Sequence, residues 1–86
     1  MIKSPIPIHP GIVLAEVYMK DMGLTMSALA ALCKLSRGTI STVINKKAAV
    51  SPKTAVKLEQ ALGMRAEVWV RMQAEYDLNV AREKPR

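Results

Sequence analysis

Only three residues, Lys34-Leu35-Ser36, separate two short helix-forming stretches, and no other feature of the chain restricts its fold as tightly. Thr25 offers an N-cap hydroxyl to the first stretch, which runs to Cys33 with Leu29, Ala30 and Cys33 facing inward. Ser36 caps the second, whose core residues are Ile40 and either Val43 or Ile44, and Asn45-Lys46-Lys47 ends it. So short a connection makes the two helices cross steeply, which requires a small residue at their closest approach. Ala30 supplies it. Ile40, ten residues later, anchors the second helix in the core and leaves the opposite face free.

The flanks supply three more helices. Pro10 suits the first position of a helix, where its missing N–H costs nothing. Val13, Leu14, Val17 and Met22 recur near helical spacing on its inner side, while Glu16, Lys20 and Asp21 stay in water, and Gly23 ends it in a left-handed cap. Ser51-Pro52 combines a capping hydroxyl with proline in the first turn of a fourth helix, with Ala55, Leu58 and Leu62 inward and Gly63 as its stop. A fifth runs from Ala66 to Asn79, with Trp69, Met72, Gln73 and Tyr76 on one stripe. The aromatic residues of that stripe are core, a dimer seam packed on a second copy, or both. Half of the residues are hydrophobic, chiefly Ala, Val, Leu and Met, and no two-residue alternation is present. The expectation is an all-α, compact five-helix domain over residues 10–80. An extended arm containing Pro5 and Pro7 precedes it over residues 1–9, and a charged, frayed tail follows over residues 81–86.

Composition narrows the chemistry. Cys33 is the only cysteine and His9 the only histidine, so neither an intrachain disulfide nor an ordinary structural zinc site can form. Cys33 reads as a small buried hydrophobe, and His9 as a capping or surface residue beside Pro10. Glu59, Glu67, Glu75 and Asp77 are scattered, so no paired-carboxylate site and no enzyme is expected, and no cofactor. Lys3 is followed by prolines without an apolar run, and no stretch has the roughly 20 apolar residues of a membrane helix. A soluble, cytoplasmic protein is expected. The formal charge of +6 suits a polyanionic partner.

The free face of the third helix reads Arg37, Gly38, Thr39, Ser41 and Thr42. A merely solvated helix would carry Glu, Lys or Gln there, which favour helix more than Gly, Ser and Thr do. Such a face is either plain bundle surface or one built for close approach to another surface, the major groove of double-stranded DNA. Arg37 can bond a guanine edge in bidentate fashion, and Thr39, Ser41 and Thr42 can meet base edges or a thymine methyl. Thr25, Ser27 and Ser36 sit at helix starts, where hydroxyls and free N–H groups suit phosphates, and Lys46 and Lys47 add cations.

The segment LTMSALAALCKLSRGTISTVINKKAAVSPKTAVKLEQAL (Leu24 to Leu62) resembles the helix-turn-helix domain of the phage-repressor-like XRE/Cro-C1 family. HPGIVLAEVYMKDMGL before it and AEVWVRMQAEYDL after it look like the ends of HigA-type antitoxins, so the resemblance covers residues 9–78. It implies a lambda-repressor-like homodimer that binds a palindromic operator in its own promoter and neutralises a RelE-like (HigB) mRNA interferase toxin. Carried over by position, Arg37, Thr39 and Thr42 fall on base-reading sites, and Ser36 and Asn45 on sites that touch backbone phosphate. An orphan regulator without a toxin, or a toxin-sequestering module with weak DNA binding, would share these features. The chain departs from the family at Lys34 and Lys46, where Gly is usual, at Met26, where a polar residue is usual, and at Gly38, which offers no side chain to a base. A left-handed conformation at Lys34 would cost roughly 1 kcal/mol.

Overall fold

His9-Pro10-Gly11 sets the start of the first helix through three separate constraints. His9, in extended backbone, accepts a hydrogen bond at Nδ1 from the Gly11 N–H at 2.9 Å, and Pro10 follows at the first helical position. Gly11 then lets α1 (Pro10–Val13) lie close against another helix. The computed structural model describes residues 8–83, so residues 1–7 of the expected arm and 84–86 of the expected tail lie outside it. His9 is therefore a cap, as one of its two expected roles has it, but it is buried and not a surface residue.

Without a break, α1 continues as a wider, π-helical stretch over Leu14–Asp21, closed by the Met22 N–H bonding to the Val17 carbonyl five residues back at 3.2 Å. This shifts the inner face from the one expected for an α-helix. Val17 and Met22 are exposed, whereas Leu14 is buried and Val13, Tyr18 and Met19 pack partly against the core. The pairs Val13–Tyr18 and Leu14–Met19 are five residues apart, which is the recurrence a π-helical turn imposes. Gly23 then reverses the chain at φ 74°.

Three hydroxyl caps start the next helices, each accepting from the backbone N–H three residues on: Thr25 for α2 (Met26–Cys33), Ser36 for α3 (Arg37–Ile44) and Ser51 for α4 (Pro52–Leu62). Gly63, at φ 91°, stops α4. Helix α5 (Ala66–Glu83) runs past Asn79, so Arg82 and Glu83, expected in a frayed tail, are helical. Asn79 Nδ2 bonds Glu83 Oε2 across this added turn at 3.4 Å.

Leu14, Leu29, Ala30, Cys33, Ile40, Val43, Val50, Ala55, Leu58 and Trp69 form the core. Val43, not Ile44, is the second fully buried anchor of α3, with Ile44 partly packed beside it, and Leu62 lies at the core edge. Trp69 is wholly buried against the tilted ring of Tyr18, at 6.2 Å between centroids, and Met72 packs partly on the same cluster. Burial raises the Cys33 thiol above its ordinary value, in keeping with an inert apolar role.

Both flanks converge on the carboxyl end of α3. A Cβ on Gly11 would stand 2.8 Å from Ile44 Cα and run into the Val43 carbonyl, so α1 and α3 touch backbone to backbone. From α5, the buried Gln73 accepts at Oε1 from the Val50 N–H at 2.9 Å and donates from Nε2 to Asp77 at 3.0 Å. Tyr76 completes the arrangement, its ring set edge-on to His9 at 4.9 Å. The residues of HPG and W…Q…YDL thus meet in space, and together they hold α3 and the segment that follows it.

Candidate nucleic-acid interface

Helix α3 owes its placement to matching terminations on either side. After α2, Lys34 turns left-handed at φ 56° while the Leu35 N–H bonds the Ala30 carbonyl and the Lys34 N–H bonds that of Ala31. After α3, Lys46 does the same at φ 61°, with the Lys47 N–H on the Thr42 carbonyl and the Lys46 N–H on that of Val43. Both are Schellman motifs with lysine where glycine is usual. Leu35 packs partly against the core, and Lys57 Nζ donates to the Lys34 carbonyl at 3.3 Å, which ties α4 to the turn.

With Ile40 and Val43 buried, Arg37, Gly38, Thr42 and Asn45 are exposed, and Thr39 and Ser41 half-buried at the rim. The hydroxyls of this face are partly engaged. Ser36 Oγ accepts from the Thr39 N–H at 3.0 Å and lies 2.8 Å from Thr39 Oγ1. Thr42 donates its hydroxyl back to the Thr39 carbonyl at 2.9 Å, so its methyl and oxygen lone pairs remain for a partner. Asn45 donates to Ser41 Oγ at 3.3 Å. Arg37 makes no ion pair among the described residues, which leaves its whole donor fork available. Thr25 and Ser27 are exposed at the start of α2, though Thr25 Oγ1 already accepts from the Ala28 N–H at 3.0 Å. Lys46 and Lys47 are exposed beyond α3.

Charge is sharply partitioned along the chain. From Met22 to Leu58 there are six Lys and Arg and no Asp or Glu, while the rest of the chain carries seven of each. The entire formal excess of +6 therefore resides in the segment that carries α2, α3 and most of α4. Counting charge by segment would have revealed this from sequence, together with Lys53 and Lys57 on α4 as further cations of the same region. The helix-turn-helix and the start of α4 thus carry cations with no carboxylate among them, a balance suited to a polyanion.

Residues 17–69 match the helix-turn-helix family, which covers both paired helices and α4. Virulence-associated protein A of Dichelobacter nodosus is 39% identical over 92% of this chain and 78% of its own length. Antitoxin HigA-1 of Vibrio cholerae is 36% identical over 84% of this chain and 68% of its own. This chain belongs to the HigA-type helix-turn-helix family. The antitoxin HigA of Pseudomonas aeruginosa, solved with the higBA promoter, superposes with a TM-score of 0.81 at 29% identity, covering 87% of this chain and 82% of that one. The helix-turn-helix expected between the Thr25 cap and Asn45 is the observed one, and the fold is that of a small helix-turn-helix regulatory domain. No described helix is long and apolar enough to cross a membrane, and no three His, Cys, Asp or Glu gather among the described residues.

Proposed function

We propose that this protein is a homodimeric transcriptional repressor of the antitoxin type, which occupies a palindromic operator in its own promoter and neutralises a RelE-like (HigB) toxin. The carrying observation is the coincidence of an exposed α3 face that is short-chained apart from Arg37 with a segment, Met22–Leu58, that carries all of the chain's excess positive charge. Cations that neutralise phosphates release counterions and supply affinity, and the short side chains between them let α3 enter the groove. Arg37, Thr39, Ser41 and Thr42 read bases in this account. Thr25, Ser27, Ser36, Asn45, Lys46 and Lys47 hold the backbone. The P. aeruginosa antitoxin solved with its promoter supports the operator half of this reading, and the likeness to antitoxins supports the toxin half.

Two-fold pairing has a suitable surface in the open apolar groove between α4 and α5, formed by Pro52, Val56, Ala66 and Val70 and bordered by Glu67 and Arg71. An antiparallel contact of two α5 helices would set Glu67 of one protomer opposite Arg71 of its partner, which is self-complementary. Trp69, wholly enclosed, belongs to the core and not to that seam.

A gel-shift titration with the DNA upstream of the protein's own gene tests the repressor reading. Binding to that DNA should exceed binding to random duplex at moderate salt, and equal affinity would overturn it. Co-purification with the product of a neighbouring small basic gene tests the toxin reading, and failure to form a complex would overturn that part alone.

A further inference from the structure

Three exposed positions at α3 hold residues that their own backbone disfavours. Lys34 and Lys46 occupy the left-handed region at φ 56° and 61°, where a Cβ crowds the neighbouring carbonyl. Gly38 is the second residue of α3, in its first turn, where glycine still favours helix less than alanine does. Elsewhere the chain follows the usual preference: the left-handed positions 23 and 63 are glycines, and Gly11 is needed for the contact between α1 and α3. Gly38 has no such reason. Only Ser36 Oγ, at 3.9 Å, lies within 4 Å of where its Cβ would stand. It also sits one turn from Thr42, on the side of α3 away from Ile40 and Val43. Glycine at 34 and 46 and alanine at 38 would each suit the isolated fold better.

We propose that these three residues are concessions to a bound DNA duplex. Lys34 and Lys46 set a cation against a phosphate at each end of α3, and Gly38 omits the side chain where the helix lies nearest the groove floor. This rests on the DNA-reading role of α3. It adds Lys34 to the phosphate contacts and makes Gly38 the residue that sets depth of insertion. Cations at either end of a face that is otherwise short-chained and carries no acid, with Arg37 as its one charged member, match a groove walled by phosphate on both sides better than they match an acidic protein surface.

The test uses the full chain and its variants Lys34→Gly, Lys46→Gly and Gly38→Ala. The probe is a duplex enriched by the wild-type protein from a randomised 20-bp library, alongside its scrambled counterpart. Gly38→Ala should melt about 2–5 °C higher than wild type, because alanine favours helix. It should bind the enriched duplex about tenfold more weakly or worse, with an unchanged salt dependence. Each lysine variant should keep or raise the melting temperature and lower the slope of log affinity against log salt by about 1 on both duplexes. Unaltered binding by Gly38→Ala, a fall in its melting temperature, or unaltered slopes for the lysine variants would overturn the inference while leaving the DNA reading intact. If the wild-type protein enriches no sequence, the DNA reading falls and this inference falls with it.

Discussion

Replacing Gly11 with alanine places a methyl group in the tightest contact of the molecule. Its Cβ would stand 2.8 Å from Ile44 Cα and closer still to the Val43 carbonyl, and ordinary contact begins at 3.4 Å. Neither obstacle is a side chain that can rotate aside, so α1 must withdraw from α3 by at least about 0.6 Å at Ile44 alone. Overpacking costs about 1–3 kcal/mol when side chains can adjust, and a backbone obstacle belongs at the top of that range, about 3 kcal/mol. For a domain of this size each 1 kcal/mol lowers the melting temperature by about 4–8 °C, so a fall of about 12–24 °C is expected. Thermal unfolding followed by circular dichroism, at one fixed protein concentration, measures it. Operator affinity should fall as well, since the carboxyl end of α3 is displaced. A variant melting within about 3 °C of wild type would refute the backbone contact and with it the explanation of the HPG sequence.

Gln73→Leu conserves much of the volume but leaves the Val50 N–H buried without its acceptor, at about 1–3 kcal/mol. Its signature is faster amide exchange at Val50 than at core amides of α2, and uniform acceleration everywhere would contradict the assignment. His9 titrates below its ordinary 6.5 because it is buried and because Lys46 repels the imidazolium, with Asp77 partly offsetting this. Between the lowered folded value and 6.5 the unfolded chain binds the proton more readily, so this contribution is complete above pH 6.5 and fades as pH falls below it. Melting curves between about pH 7.5 and 5 should show that loss in wild type and lack it in His9→Asn, which keeps a capping oxygen. Parallel profiles would remove His9 from the account. Val56→Asp places a charge in the open groove between α4 and α5, so it should shift a dimer towards monomer in sedimentation while leaving helix content unchanged.

The helix-turn-helix was readable because its signals are local. Thr25, Ser36 and Ser51 each cap within three residues, and the turn at Lys34 is too short to allow another crossing. What the flanks do was less accessible. HPG and W…Q…YDL reveal their purpose only when His9 meets Tyr76 and Val50 meets Gln73, contacts that no local pattern encodes. Between Leu14 and Met22 the inner face departs from α-helical spacing because a π-helical turn moves the buried residues from a spacing of three or four to one of five. Charge partition lay in plain view, but total charge conceals it: +6 spread over the surface and +6 confined to Met22–Leu58 have the same sum. On the reading face itself, Thr39 and Thr42 turn hydroxyls towards their own helix, which spacing alone does not specify.

Base reading by the outer face of α3 shows itself in sequence preference. The most direct measurement is the ratio of dissociation constants for scrambled and enriched duplex, at about 0.15 M salt, for wild type and Arg37→Ala. A sequence-reading protein should show a ratio of about 1,000 or more. Arg37→Ala should lose about 1–3 kcal/mol on the enriched duplex and little on the scrambled one, so that the ratio falls by about fivefold to a hundredfold. A wild-type ratio near one, or a ratio unchanged by Arg37→Ala, would contradict the account.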